Sequence, residues 1–279
     1  MKDYGLYGPG SATWKIASET VITLGGTRAV LMQIAHPLVA TGVCEHSSYM
    51  ADPLSRMDRT FVLGQKITFG SHILAHEAAR TINRLHTHVH GTLPEQAGSF
   101  AGGTQYKARD PELLLWVHAT LIDTILSTYQ LFIGPLSAEE QEQYYQESKV
   151  LVRLLGLAPQ AMPATVEDLQ RYVNEMVSSD KLAATPQSRQ LAQQILFPRT
   201  HALLRPLLHL NTQITCALLP PPIREIFGLE WSATQQRIFD LSARGLRLMV
   251  PRLPMNVRML PITRRLMGVE KAGRRRHTA

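Results

Sequence analysis

Residues 55–91 read SRMDRTFVLGQKITFGSHILAHEAARTINRLHTHVHG, and this run decides the class of fold. It gathers five of the eleven histidines together with the cluster Arg56-x-x-Arg59-Thr60. A helix drawn from Ser71 at about 100° per residue aligns Leu74, Ala78, Ile82, Leu85 and Val89 in one apolar stripe. His72, His76, His86 and His90 fall in a neighbouring stripe about 80° wide, while His88 points elsewhere. His86 lies nearest the apolar residues and is the histidine expected to face the interior. A core-facing histidine is most often a hydrogen-bonded structural residue, so the placement alone does not make it a ligand.

The helical period extends in both directions. A first helix is expected over Ser11–Leu24, stopped by Gly25-Gly26, and a second from Thr27 toward Val43, kinked or split at Pro37. Asp110-Pro111, an N-cap residue followed by proline at the first helical position, opens ELLLWVHATLIDTILSTYQLFIG. In that segment Leu114, Leu115, Leu121 and Ile122 surround His118, which is expected to be buried. Further helices are expected at Ala138–Leu155, Val166–Val177, Ser188–Ile195, Arg199–Leu218, Ser232–Val250 and Met255–Met267. Ser137 and Glu140 form a capping box, and Pro220-Pro221-Pro222 is a hard stop. A short extended segment near Phe100–Tyr106 is the one strand candidate. With no repeat and no break in composition, the pattern predicts an all-α, single-domain protein over residues 1–279.

Composition bounds the rest. A chain of 279 residues with 44% hydrophobic residues can bury a sizeable core. The net charge of +7 is concentrated late: from Arg244 onward there are ten Arg and Lys residues against Glu270 alone. No recognition element for nucleic acid accompanies it, so the basic tail from about residue 269 reads first as a solvated end, with weak contact to acidic surfaces as the alternative. The longest apolar region, Leu113–Leu136, is broken by His118 and Asp123, so no transmembrane span is expected. MKDYGLYGPG lacks the pattern of a secretory signal. Cys44 and Cys216 lie far apart and outside metal-knuckle spacing, as in a reducing compartment, and a cytoplasmic location is expected.

Familiar catalytic signatures are missing: no Walker loop, dinucleotide glycine fingerprint, GxSxG elbow or HExxH helix is present. The pairs His72/His76 and His86/His90 have the spacing to grip one metal ion each, but neither has a convincing third ligand.

Five ordered blocks carry a resemblance: GGTRAVLMQIAHPLVATGVCEHS at 25–47, RMDRT at 56–60, LHTHVHG at 85–91, YKARDPELLLWVHAT at 106–120 and LPPPIREIFGLEW at 219–231. Over roughly Trp14–Gly268 the chain resembles the haem-dependent oxygenase domain shared by latex clearing protein, a rubber oxygenase, and the fungal MpaB oxygenase. The resemblance implies an all-helical fold with b-type haem in a pocket between helices. It also implies His86 as the proximal iron ligand, with His118 as second choice or as pocket wall.

The family's distal Arg-x-x-Lys-Thr cluster is matched by Arg56, Arg59 and Thr60. Arginine stands where the lysine would be, and a guanidinium that stays protonated cannot readily bind iron. An open or water-bound distal position is therefore expected. Arg56 and Arg59 would hold propionates or stabilise negative charge on dioxygen, with Thr60 donating a hydrogen bond. The family's distal glutamate has no secure match; Glu45 or Asp123 would supply that carboxylate. The implied partners are dioxygen and a small apolar, unsaturated substrate. The alternatives are a non-catalytic haem or metal binder acting as carrier or sensor, and a cofactor-free helical interaction protein.

Overall fold

The computed structural model describes residues 3–47, 53–198 and 201–268. The basic tail and the expected helix start at Arg199 lie outside them. Among the described residues there are fourteen α-helices and one antiparallel pair of three-residue strands, so the fold is all-α.

The centre is α6 (Pro111–Phe132), buried on most of its circumference. Its Trp116, Ala119, Ile122, Leu126 and Tyr129 form the main core with Leu31 and Met32 of α2 (Gly26–Ile34), Tyr144 and Tyr145 of α7 (Ala138–Leu154), Leu169 and Val173 of α8 (Val166–Val177), and Leu191 and Ile195 of α9 (Pro186–Leu196). Each of the leucines, isoleucines, Val173 and Met32 contributes about 1.5–3 kcal/mol when fully withdrawn from water. One ion pair crosses this region. Buried Arg28 on α2 donates from Nη2 to Asp123 Oδ2 (2.7 Å) and from Nε to the Leu218 carbonyl (2.8 Å), and it also donates to the Thr124 hydroxyl. Of the paired glycines ahead of it, packing requires Gly25 and leaves open space at Gly26. A Cβ on Gly25 would lie 2.5 Å from Thr128 Oγ1 and 2.6 Å from Thr124 Cγ2, so only glycine lets the Thr20–Gly25 turn press onto α6.

Several expected helices are shorter or divided. The helix from Ser71 ends at Thr87, so Val89 lies beyond it and His90 sits on a strand rather than one turn from His86. The helix expected over Arg199–Leu218 becomes a 3₁₀ turn at Ala202–Leu204 followed by a helix from Arg205. The first helix divides into α1 (Ala12–Ala17), capped by Ser11, and a 3₁₀ turn at Thr20–Gly25. Between them Glu19 is buried and paired with Arg258. Proline at 37 holds His36 extended and starts α3 (Pro37–His46) as a separate helix. Proline at 261 likewise separates α13 (Met255–Arg258) from α14 (Pro261–Met267). The proline triplet ends α10 (Arg205–Leu218), but Pro221 then opens α11 (Pro221–Phe227), so it is a start as well as a stop. α12 (Ala233–Met249) begins with the capping box Ser232–Gln235.

The strand expectation is half met. β1 (His90–Thr92) pairs with β2 (Gln105–Lys107), and Phe100 instead bridges Ala97 across a turn. No helix among the described residues is long and apolar enough to cross a membrane.

Candidate functional site

α4 (Pro53–Phe69) and α5 (His72–Thr87) pack against each other as a hairpin. They turn at Gly70, where a Cβ would fall 2.3 Å from the Lys66 carbonyl oxygen. Ser71 caps α5 by accepting from the Leu74 N–H. Counting from this turn at 1.5 Å per residue, Arg56 lies about 21 Å back along α4 and His86 about 22 Å forward along α5, so the two come level. The hairpin thereby joins the two ends of the stretch that carries the chemistry.

His86 is half-buried, and its Nδ1 is buried with no hydrogen-bond partner. Burial first, then the cations Arg56 and Arg109, hold its imidazole below the ordinary histidine pKa. The ring is therefore neutral near pH 7 and keeps a lone pair for a ligand. Arg109, which sequence reasoning missed, reaches the site from the turn between β2 and α6. Its only signal was a place in the YKARDP block, just before the helix start.

Arg56 donates from Nε to Ser47 Oγ (3.0 Å) and from Nη1 to the Thr60 hydroxyl. Thr60 in turn donates its own proton to the Arg56 carbonyl (2.9 Å). In this arrangement Thr60 orients the guanidinium rather than offering a proton outward. Arg59 is exposed one turn along the same helix.

Ser47 follows the end of α3, where Glu45 accepts a hydrogen bond from Tyr106 Oη at 2.5 Å through Oε2. Tyr106 is buried on β2, and burial together with Glu45 pushes its pKa upward. Two glycines make the contact possible. A Cβ on Gly91 would stand 2.8 Å from Tyr106 Oη and 3.0 Å from Glu45 Oε2, and one on Gly42 would stand 3.2 Å from the tyrosine ring. His46 Nε2 lies 3.1 Å from the His90 carbonyl oxygen and ties α3 to β1. The final glycine of the LHTHVHG block thus serves Glu45 and Tyr106. An apolar cluster of Leu38, Leu93, Tyr106 and Leu113, with Val39, Val89 and Phe100 packed on it, adjoins these groups.

His118 is elsewhere. It is buried on α6 with Nε2 3.2 Å from Ser148 Oγ of α7. The Ser148 proton goes to the Tyr145 carbonyl (2.6 Å), so Ser148 accepts and His118 carries its proton on Nε2. Burial, then Lys149, lowers its pKa to about 4. Asp123 is likewise committed, to Arg28, and is not a carboxylate of this site. His36, unremarked in the sequence, is buried at the start of α3 with Nδ1 unpartnered and a pKa of about 4, lowered by burial and then Lys181.

Among the described residues no group of three or more His, Cys, Asp or Glu side chains could hold a metal ion. His72 and His76 stack with ring centroids 6.5 Å apart and find no third partner there. The site is thus a neutral histidine under the electrostatic influence of Arg56 and Arg109, with Arg56 bonded to Ser47, two residues from the tyrosine-held Glu45.

That combination defines an all-α protein with a ligand-competent histidine in a cationic, partly apolar setting. Among the described residues His36 shares the unpartnered, buried Nδ1, but His86 is the one whose pKa the cations Arg56 and Arg109 also lower. The chain belongs to the family described as ER-bound oxygenase mpaB/B'/Rubber oxygenase, catalytic domain, whose model matches residues 14–248. Two mycobacterial relatives are each 26% identical over 226 residues, covering 78% of this chain and 85% of their own length. They are the uncharacterized protein Mb2261 of Mycobacterium bovis and the uncharacterized protein Rv2237 of Mycobacterium tuberculosis. No solved structure matches the chain at comparable significance.

Proposed function

We propose that the protein is a haem-b-dependent oxygenase acting with dioxygen on a small apolar, unsaturated substrate, built as one domain. The observation that carries the reading is His86: a neutral imidazole with an unpartnered buried ring nitrogen, its pKa lowered by burial and by the cations Arg56 and Arg109. These residues fit a haem. A metal at a lone histidine must bring its other ligands with it, which a porphyrin does, and two guanidinium groups match two propionates. When bound, haem supplies the redox centre at which dioxygen is activated.

The chain's own groups then have separable tasks. His86 holds the cofactor. Arg109 and Arg56 bind its carboxylates or stabilise negative charge that develops beside them, and Thr60 fixes the Arg56 guanidinium. Arg59, a guanidinium where the family carries lysine, does not compete as a ligand. Glu45 is the base: Tyr106 holds Oε2, leaving Oε1 to accept a proton from substrate. His118 stays a buried structural residue between α6 and α7. The widely spaced cysteines and the lack of a spanning helix among the described residues fit a cytoplasmic location.

The experiment is reconstitution with haem b, reduction, and exposure to dioxygen with an unsaturated apolar compound. Oxygen consumption coupled to substrate oxidation supports the oxygenase. Stable haem binding without turnover across such compounds supports a carrier or sensor instead.

A further inference from the structure

α12 carries two apolar faces. Phe239, Ala243 and Leu246 pack inward with Phe132 and Ile214. On roughly the opposite side Ile238, Leu241 and Leu248 remain 61%, 65% and 63% exposed. The exposed apolar surface includes Met249 at the helix end and continues past it through Leu253, Met255 and Val257. Neighbouring α10 adds exposed Leu207 and Leu210. An apolar cleft of about 230 Å³, lined by Val21, Leu24, Val250, Leu253 and Val257 among others, opens within this region. Leucines scattered singly over a surface need no explanation, but a helix whose second face is a leucine stripe does.

Charge identifies what covers it. Along 233–268 the chain has seven arginines against the single acid Asp240. Arg258 is neutralised by Glu19, which leaves Arg237, Arg244, Arg247 and Arg252, all exposed on α12 or just after it, against Asp240 alone. On the helical wheel Arg237 and Arg244 lie within about 40° of Leu248. Apolar side chains interleaved with arginines match a layer that is apolar beneath and anionic at its surface. A second copy in a two-fold pair would bring this arginine-rich face against itself, where like charges oppose association.

We infer that the exposed face of α12 and the segment following it dock peripherally on a membrane surface rich in anionic lipid. The inference does not rest on the oxygenase reading and holds with or without haem.

The test uses the full chain and co-sedimentation with vesicles, of phosphatidylcholine alone or of equal parts phosphatidylcholine and phosphatidylserine, at low and high salt. Binding is expected to the mixed vesicles, weakening steeply with salt, and to be slight on phosphatidylcholine. Arg244→Gln should weaken it roughly five-fold, and Leu248→Ser by at least a similar factor, with circular dichroism unchanged because both residues are exposed. In Leu241→Trp the indole emission should shift to the blue on mixed vesicles. Failure to bind mixed vesicles, or equal binding by parent, Arg244→Gln and Leu248→Ser, would overturn the proposal. So would self-association without vesicle binding that Leu248→Ser abolishes, which would assign the face to a second copy.

Discussion

His118→Leu separates a structural histidine from a ligand by the pH dependence of stability. The folded pKa is about 4, against the 6.5 of an ordinary histidine. The sign follows from proton uptake. Above pH 6.5 the ring is neutral folded and unfolded and contributes no pH dependence. Between 6.5 and 4 the unfolded chain takes up a proton that the folded chain refuses, so stability falls with acidification. The loss attributable to His118 reaches about 2–3 kcal/mol at pH 4.5. The variant forfeits the Ser148 hydrogen bond, worth about 1 kcal/mol at any pH, but leaves Ser148 bonded to Tyr145. The parent is therefore the more stable at pH 8, the variant at pH 4.5, and the two curves cross near about pH 6. Urea unfolding followed by circular dichroism across this range reads the crossing. Parallel curves would refute the reasoning, since they would mean that His118 titrates alike in both states.

Gly91→Ala should destabilise by about 1–3 kcal/mol because the new methyl group collides with Tyr106 Oη and Glu45 Oε2. In a double-mutant cycle it should be strongly non-additive with Tyr106→Phe, and additive free energies would show that the two do not share a contact. Asp123→Ala should cost about 3 kcal/mol in thermal or urea unfolding, because it strands the buried Arg28 guanidinium. The same variant should bind haem like the parent when folded, and a selective loss of haem would return Asp123 to the site.

The helices were legible because their punctuation is local. Val166–Val177 has its capping box at Thr165, and Ser71 and Ser137 cap where the residue pattern expects. The divided helices were less legible because the cause is remote: Glu19 meets Arg258 from the far end of the chain, which no local window contains. The Arg56–His86 approach was not legible in the sequence, because no helix is expected over 53–69 and the hairpin appears only with α4. Arg109 and the Tyr106–Glu45 pair were not legible either, since they come together only when β1, β2 and α3 assemble. Asp123 illustrates the converse, a polar residue on an apolar helix whose partner Arg28 lies on a separate element.

The central claim is that His86, and not His118, binds the haem iron. The measurement is the absorption spectrum of the purified protein after reconstitution with haem, taken for parent, His86→Ala and His118→Leu at pH 8. A Soret band of similar height in parent and His118→Leu, largely lost in His86→Ala, is the predicted result. An undiminished band in folded His86→Ala, or a band lost only in His118→Leu, would contradict it.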